Sequence, residues 1–173
     1  MNKYPVTNRQ DGFTLIEVLI AVLVISIGLL GMAGLQTSGI QQSHNSYLKT
    51  QASMLAYDMA DRMRSNLAGV NTGQYDAVDS MNDPVNAAPG CISSGSACSA
   101  TETATNDIYE WTHKDASSSI ASQLPSGYGM IEKNGAIFTI TVLWDEARTG
   151  ATGTDCSTDY TKDLKCFRLE LIP

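Results

Sequence analysis

No Asp, Glu, Lys or Arg lies between Val18 and Tyr47, and no proline lies between Pro5 and Pro84. The first absence excludes an ordinary solvated surface for that stretch. The second removes the residue that most often breaks a helix. Histidine is scarce, with only His44 and His113. Neither has a nucleophile or metal partner in sequence, and His113 beside Asp115 and Ser117 to Ser119 reads as a solvated helix face, not a triad. No Gly-rich phosphate loop is present. Basic side chains are few, 11 against 18 acidic, for a net charge of −7. Lys162, Lys165 and Arg168 form the one candidate basic cluster, and Asp159 and Asp163 dilute it. So acidic a chain repels polyanions at long range, which argues against a general nucleic-acid binder. These absences together leave no catalytic constellation, so an anchored enzyme is disfavoured, and no cofactor is expected.

The charge-free run belongs to an asymmetric amino-terminal segment. Residues 1–12 (MNKYPVTNRQDG) are polar and carry Lys3 and Arg9. Residues 13–35 (FTLIEVLIAVLVISIGLLGMAGL) are 23 residues with one charge, Glu17. About 20 apolar residues span a bilayer as a helix, and the basic flank favours an amino end in the cytoplasm. A secretory signal peptide cut near Ala33 or Gly34 would have a shorter apolar core, about 7–15 residues. A plain anchor gains nothing from Glu17, since a carboxylate at a helix centre costs on the order of 2.5–3.5 kcal/mol on insertion scales. Intramembrane charges are functional candidates by default. The third reading is a cut before the apolar run, after Gly12, which creates a free amine on Phe13 about one turn from Glu17.

Gly12 followed by Phe13-Thr14-Leu15-Ile16-Glu17 and a long apolar run resembles the signal of type IV prepilins and type II secretion pseudopilins. The resemblance implies a leader peptide at 1–12, cleavage after Gly12 by a prepilin peptidase, methylation of the new terminus at Phe13, and pairing of Glu17 with a neighbouring subunit's terminal amine during assembly.

Beyond the apolar run, Leu48, Ala52, Leu55, Met59, Met63 and Leu67 recur at helical spacing and define one face of an amphipathic helix. Asn66 and Gly69 supply stop signals, so the spacing predicts an assembly helix over 13–68, its transmembrane part at 13–35. Gly28, Gly31, Gly34 and Gly39 each weaken it by about 1 kcal/mol relative to Ala. They admit two readings, close packing of membrane helices or a segment that softens in a filament.

Residues 69–173 read as a periplasmic or extracellular globular domain. Its Gly-, Asn-, Ser- and Thr-rich stretch 70–106 reads as a long connection. Residues 107–124 read as partly helical, with Ile108, Trp111, Ile120 and Leu124 on the buried face. Asn134-Gly135 between 128–133 and 136–144 is a type I′ hairpin signal. Phe138, Ile140, Val142 and Trp144 are expected to face the helix. Phe167, Leu169 and Leu171 supply a third strand, and 145–165 is the loop before it. The fold class is therefore α+β, a type IV pilin-like long helix on a small antiparallel sheet.

The cysteines Cys91, Cys98, Cys156 and Cys166 form two close pairs. An even count in an exported domain points to disulfides. Pairing 91–98 and 156–166 is the simplest of three connectivities, and free thiols are the alternative. Neither spacing suits a zinc knuckle, and the 156–166 run lacks the calcium-loop pattern, so no metal is expected.

A narrower resemblance lies in Ala56-Tyr57-Asp58-Met59-Ala60-Asp61-Arg62-Met63-Arg64-Ser65-Asn66, Leu124-Pro125-Ser126-Gly127-Tyr128-Gly129, Phe138 to Asp145, and Ile27 to Gln36, all similar to the PilV family of minor pilins. It implies a minor pilin that helps initiate assembly, sits in a tip complex and supports pilus biogenesis and twitching motility. Its implied partners are other minor pilins, the major pilin, the prepilin peptidase and the inner-membrane assembly platform. The implied location is a single-pass inner-membrane protein, then a fibre at the cell surface. Two alternatives stand beside it: a minor pseudopilin of type II secretion, and an adhesin or DNA-uptake pilin binding through loops 70–106 and 145–165.

Overall fold

α1 spans Leu15–Ser65 and starts on a capping residue. The Thr14 carbonyl accepts from the Val18 N–H at 3.3 Å, and its hydroxyl oxygen accepts from the Glu17 N–H at 3.3 Å. The computed structural model describes residues 12–113 and 115–173. It divides between Ser43 and His44 into two compact units, and the helix is unbroken through Gly28, Gly31, Gly34 and Gly39.

In the first unit every described residue is exposed, including Leu15, Ile16, Leu19, Leu23, Leu30 and Leu35. The second unit begins where α1 acquires a buried face. Leu48, Ala52, Leu55, Met59 and Met63 are buried, with Ala56 and Ala60 between them. Leu67 departs from the expected stripe and is 50% exposed. The cause is Asn66, whose backbone leaves the helix at φ −119°, ψ 56°. Its side-chain oxygen then caps α2 (Leu67–Asn71) by accepting from the Gly69 N–H at 3.2 Å. The break turns Leu67 off the α1 face.

α3 (Gly90–Ser94) is a single turn carrying Cys91, which is bonded to Cys98. α4 (Ala100–Thr112) starts at a full capping box, Ser99 with Glu102. The expected helix at 107–124 is thus two pieces, α4 and the short α5 (Ile120–Gln123), which Ser119 caps. Ser117 to Ser119 interrupt because serine side chains compete for backbone partners.

The sheet has four antiparallel strands in the order β1 (Ala77–Asp79), β2 (Tyr128–Asn134), β3 (Ile137–Trp144), β4 (Lys165–Leu171). β1 lies inside the stretch read as connection and pairs Val78 with Ile131. The hairpin is shifted by one residue from the expected turn. Asn134 pairs with Ile137, so the loop is Gly135-Ala136. Of those two only Gly135 has positive φ, at 64°, which fits a II′ loop with Gly first and not a I′ loop, where both residues need it.

Phe138, Ile140, Val142 and Trp144 face α1 and join its buried stripe in one core. Trp111 from α4 closes that core. Its indole N–H donates to the Leu55 carbonyl at 2.8 Å, tying α4 to α1. Gly129 lets it fit, since a Cβ there would collide with the Trp111 ring and lie 2.7 Å from Ile120. The other face of the sheet is covered as well. Leu143 packs with Ala151 and Leu164, flanked by Met81, Tyr128 and Met130. The 145–164 segment is therefore a packed second layer. Asp145 starts it by accepting from the Thr149 and Gly150 N–H groups at 3.2 and 2.7 Å. The bonded pair Cys156–Cys166 ties it to β4.

Candidate functional site

A polar hub holds α1, α2 and α4 together. Arg62 donates to Asp58 at 2.9 Å, Glu110 at 2.8 Å and Asp107 at 3.4 Å. The Tyr75 hydroxyl donates to Asp107 at 2.6 Å, and the Asn66 amide donates to Tyr75 at 3.1 Å and to the Ala100 carbonyl at 2.8 Å. Burial works against the Arg62 charge, but bonds to Glu110 and Asp58 outweigh it and raise its pKa. Burial, then donation to Asp107, pushes the Tyr75 hydroxyl up as well. The Arg62 hydrogen bond holds Glu110 below its ordinary value despite some burial. Each polar partner is satisfied from within the fold, so the hub is structural. Asp58 and Arg62 lie outside the buried stripe of α1. The long-range partners Asp107, Glu110 and Tyr75 carried no local signal.

His113 caps the end of α4, where its N–H donates to the Tyr109 carbonyl at 2.8 Å. Its ring stacks on Tyr109 with centroids 4.5 Å apart. Ser119 is used as a helix cap. In the 156–166 loop, Asp159 accepts from the Thr161 hydroxyl at 2.6 Å and pairs with Lys162 at 3.4 Å. Among the described residues no group of three or more His, Cys, Asp or Glu gathers as metal ligands. A cleft of about 220 Å³ lies where the 80–86 segment meets α4 and α5, lined by Ser80, Val85, Thr112, His113 and Tyr128 among others.

The amino-terminal site differs from all of these, because nothing in its own unit covers it. Phe13 is 84% exposed. Glu17 stands in the first turn of α1, beside a shallow concavity of about 430 Å³ formed with Phe13, Val18, Ala21 and Val22. A carboxylate in the first turn is favoured by the helix dipole. Thr14-Leu15-Ile16-Glu17 also has the Thr-x-x-Glu spacing of a capping box, a signal that sequence reading passed over. The Thr14 half of that box is formed. The helix that follows has a mean hydropathy of 2.7 over its most apolar window, none of it buried within the chain. Length and composition suit a membrane span. Gly12 lies just ahead of the helix; the rest of the expected leader, residues 1–11, lies outside the described residues.

Comparison with known families gives two matches. Residues 7–33 match the family described as the prokaryotic N-terminal methylation motif. Residues 34–109 match the family described as type IV pilin Tt1218. No curated protein and no solved structure matches the chain. Type IV pilins are a structural family and not an enzymatic one, and the two matches together support a pilin role in pilus assembly. That family implies assembly with other pilins and processing by prepilin peptidase. The motif and the apolar helix fit inner-membrane insertion followed by incorporation into a pilus.

Proposed function

We propose that this chain is a minor pilin of a type IV pilus, of the PilV kind, which helps initiate fibre assembly from within a tip complex and so supports twitching motility. Prepilin peptidase cuts after Gly12, and the new amine at Phe13 is methylated. Glu17 pairs with the terminal amine of an adjacent subunit. The observation that carries this reading is a lone carboxylate in the otherwise apolar stretch 13–35, which its own unit leaves wholly exposed. Lipid covers such a surface before assembly, and other pilin helices cover it afterwards. Head-to-tail contacts that do not close generate a helical fibre, with the other minor pilins and the major pilin as neighbours and the inner-membrane platform as the place of assembly.

The nearest alternative is a minor pseudopilin of type II secretion, which shares the amino-terminal signal. The Cys156–Cys166 pair and the Phe138 to Asp145 motif favour the pilus. In a strain lacking this chain we expect surface pili and twitching to be lost and secreted enzymes to stay at normal levels. Lost secretion with normal twitching would overturn the pilus assignment. The cut itself has a separate check. Gly12→Ala leaves an uncut precursor in the inner membrane, read by its slower migration and by amino-terminal sequencing. A mature terminus at Phe13 in that variant would refute the cleavage site.

A further inference from the structure

The two edges of the sheet are finished differently. β1 has three residues, and the chain turns away after Ser80, whose N–H still donates to the Gly129 carbonyl at 3.0 Å, as Asp79 accepts from the Met81 and Asn82 N–H groups at 3.0 and 3.1 Å. β4 has seven residues, no proline, and an unbroken register from Phe138–Leu171 to Trp144–Lys165. Short strands, prolines, bulges and charged side chains are the usual protection of an edge, and of these β4 has only the charges of Lys165, Arg168 and Glu170.

The register fixes which backbone groups are free. The two-residue loop closes on Asn134 and Ile137 as a hydrogen-bonded pair, and such pairs alternate along an antiparallel ladder. Phe138, Ile140, Val142 and Trp144 therefore bond to β4 through Leu171, Leu169, Phe167 and Lys165. The N–H and C=O groups of Cys166, Arg168 and Glu170 turn outward. No backbone bond from outside the ladder reaches 165–171 among the described residues. The side chains beside this edge are also unfinished. Phe167 and Leu169 are only half-buried, although they pack on the core. A groove of about 360 Å³ runs between Phe167 and the α1 residues Lys49, Thr50 and Ser53. Arg168 and Glu170 are exposed on the other face, with no hydrogen bond or ion pair among the described residues.

We propose that β4 takes a fifth strand, an extended segment of another polypeptide. Its chemistry follows from the edge. Apolar side chains at alternate positions cover Phe167 and Leu169 and enter the groove. On the opposite face a carboxylate lies across from Arg168 and a cation across from Glu170, because directly opposed opposite charges stabilise a pair and like charges oppose it. Backbone bonds to the edge supply the affinity and these alternate side chains the specificity. A second copy of β4 offers the same charges in antiparallel register about Leu169. Twofold pairing, however, reverses the 44–65 part of α1, which shares a unit with β4, between the copies, so their amino-terminal segments leave in opposite directions. That choice of occupant rests on the membrane reading above.

The test places photoreactive benzoylphenylalanine in place of Glu170, and as a control in place of the exposed Ile92, in cells producing the full chain. We expect the β4 probe alone to crosslink one segment of a different polypeptide. Mass spectrometry should read that segment as apolar at alternate positions with an acidic residue between. Arg168→Pro removes one outward N–H at a position where an edge strand tolerates proline, and should lower the crosslink more than tenfold while both disulfides still form. Arg168→Glu, which leaves the backbone intact, should lower it about fivefold. A crosslink only to a second copy of this chain, none at all, or one undiminished in both variants would overturn the proposal. Fibre incorporation of the Glu17→Ala variant, scored in parallel, distinguishes this failure from a failure of the assembly reading.

Discussion

We expect Glu17→Ala protein to insert in the membrane and lose its leader normally, yet to be absent from sheared fibres. The reason lies in where the charge stands. Glu17 is in the first turn of a helix whose surrounding side chains are aliphatic and exposed. Once other helices cover that surface, the carboxylate is desolvated and needs a cation at its own depth. On the assembly reading proposed above, the Phe13 amine of an adjacent subunit, created by cleavage, would be that cation. Removing one partner of a buried pair costs about 3–5 kcal/mol, since it strands the other charge. That is a hundredfold or more in an assembly equilibrium. A rival explanation is local, because Glu17 occupies the position of a capping-box acid. Glu17→Gln separates the two. Glutamine serves the cap but carries no charge, so it should be excluded from fibres as alanine is. Thr14→Ala loses only the cap, worth about 1 kcal/mol, and should still enter fibres. Immunoblots of sheared and membrane fractions read all three, and Glu17→Ala in fibres at the normal level would sink the pairing role.

Trp111→Ala should cost the globular unit about 3–5 kcal/mol, the usual range for deleting a buried large aromatic side chain. Trp111 is 1% exposed and packs against Ile120 and the Cα of Gly129. Its indole bond to the Leu55 carbonyl is the direct link from α4 to the middle of the α1 stripe. Trp111→Phe keeps most of the packing and loses that bond, for about 1 kcal/mol. Denaturant midpoints of the full chain, read on the second unit by limited proteolysis, give the order: wild type, then Phe, then Ala. An Ala variant as protease-resistant as wild type would show that α4 does not close the core.

The parts of the fold that were legible in the residues are those with local periodicity. The α1 stripe from Leu48 to Met63 and the alternation of Phe138, Ile140, Val142 and Trp144 each repeat often enough to define a face. Both faces meet in one core. The errors fall where the deciding partner is far away in sequence. β1 is three residues in a Gly- and Asn-rich stretch, and only its pairing with β2 makes it a strand. Leu67 keeps the helical spacing, but Asn66 is drawn out of the helix by Tyr75, Gly69 and Ala100. The hairpin turn moved by one residue because the register of seven pairs outweighs the local Asn-Gly preference.

The sequence by itself determined the amino-terminal device. A glycine, a carboxylate five residues on and a charge-free run lie within one short stretch, and on the proposed reading a peptidase and a membrane would read them without a folded domain. It also determined the class of the body, since two periodicities suffice for a helix on a sheet. The tertiary structure alone decided that the 145–164 segment is a second layer under Leu143, that Arg62, Asp107 and Tyr75 form one hub, and that β4 is left as an open edge. These depend on contacts between residues dozens of positions apart, and such contacts leave no pattern in the sequence around either partner.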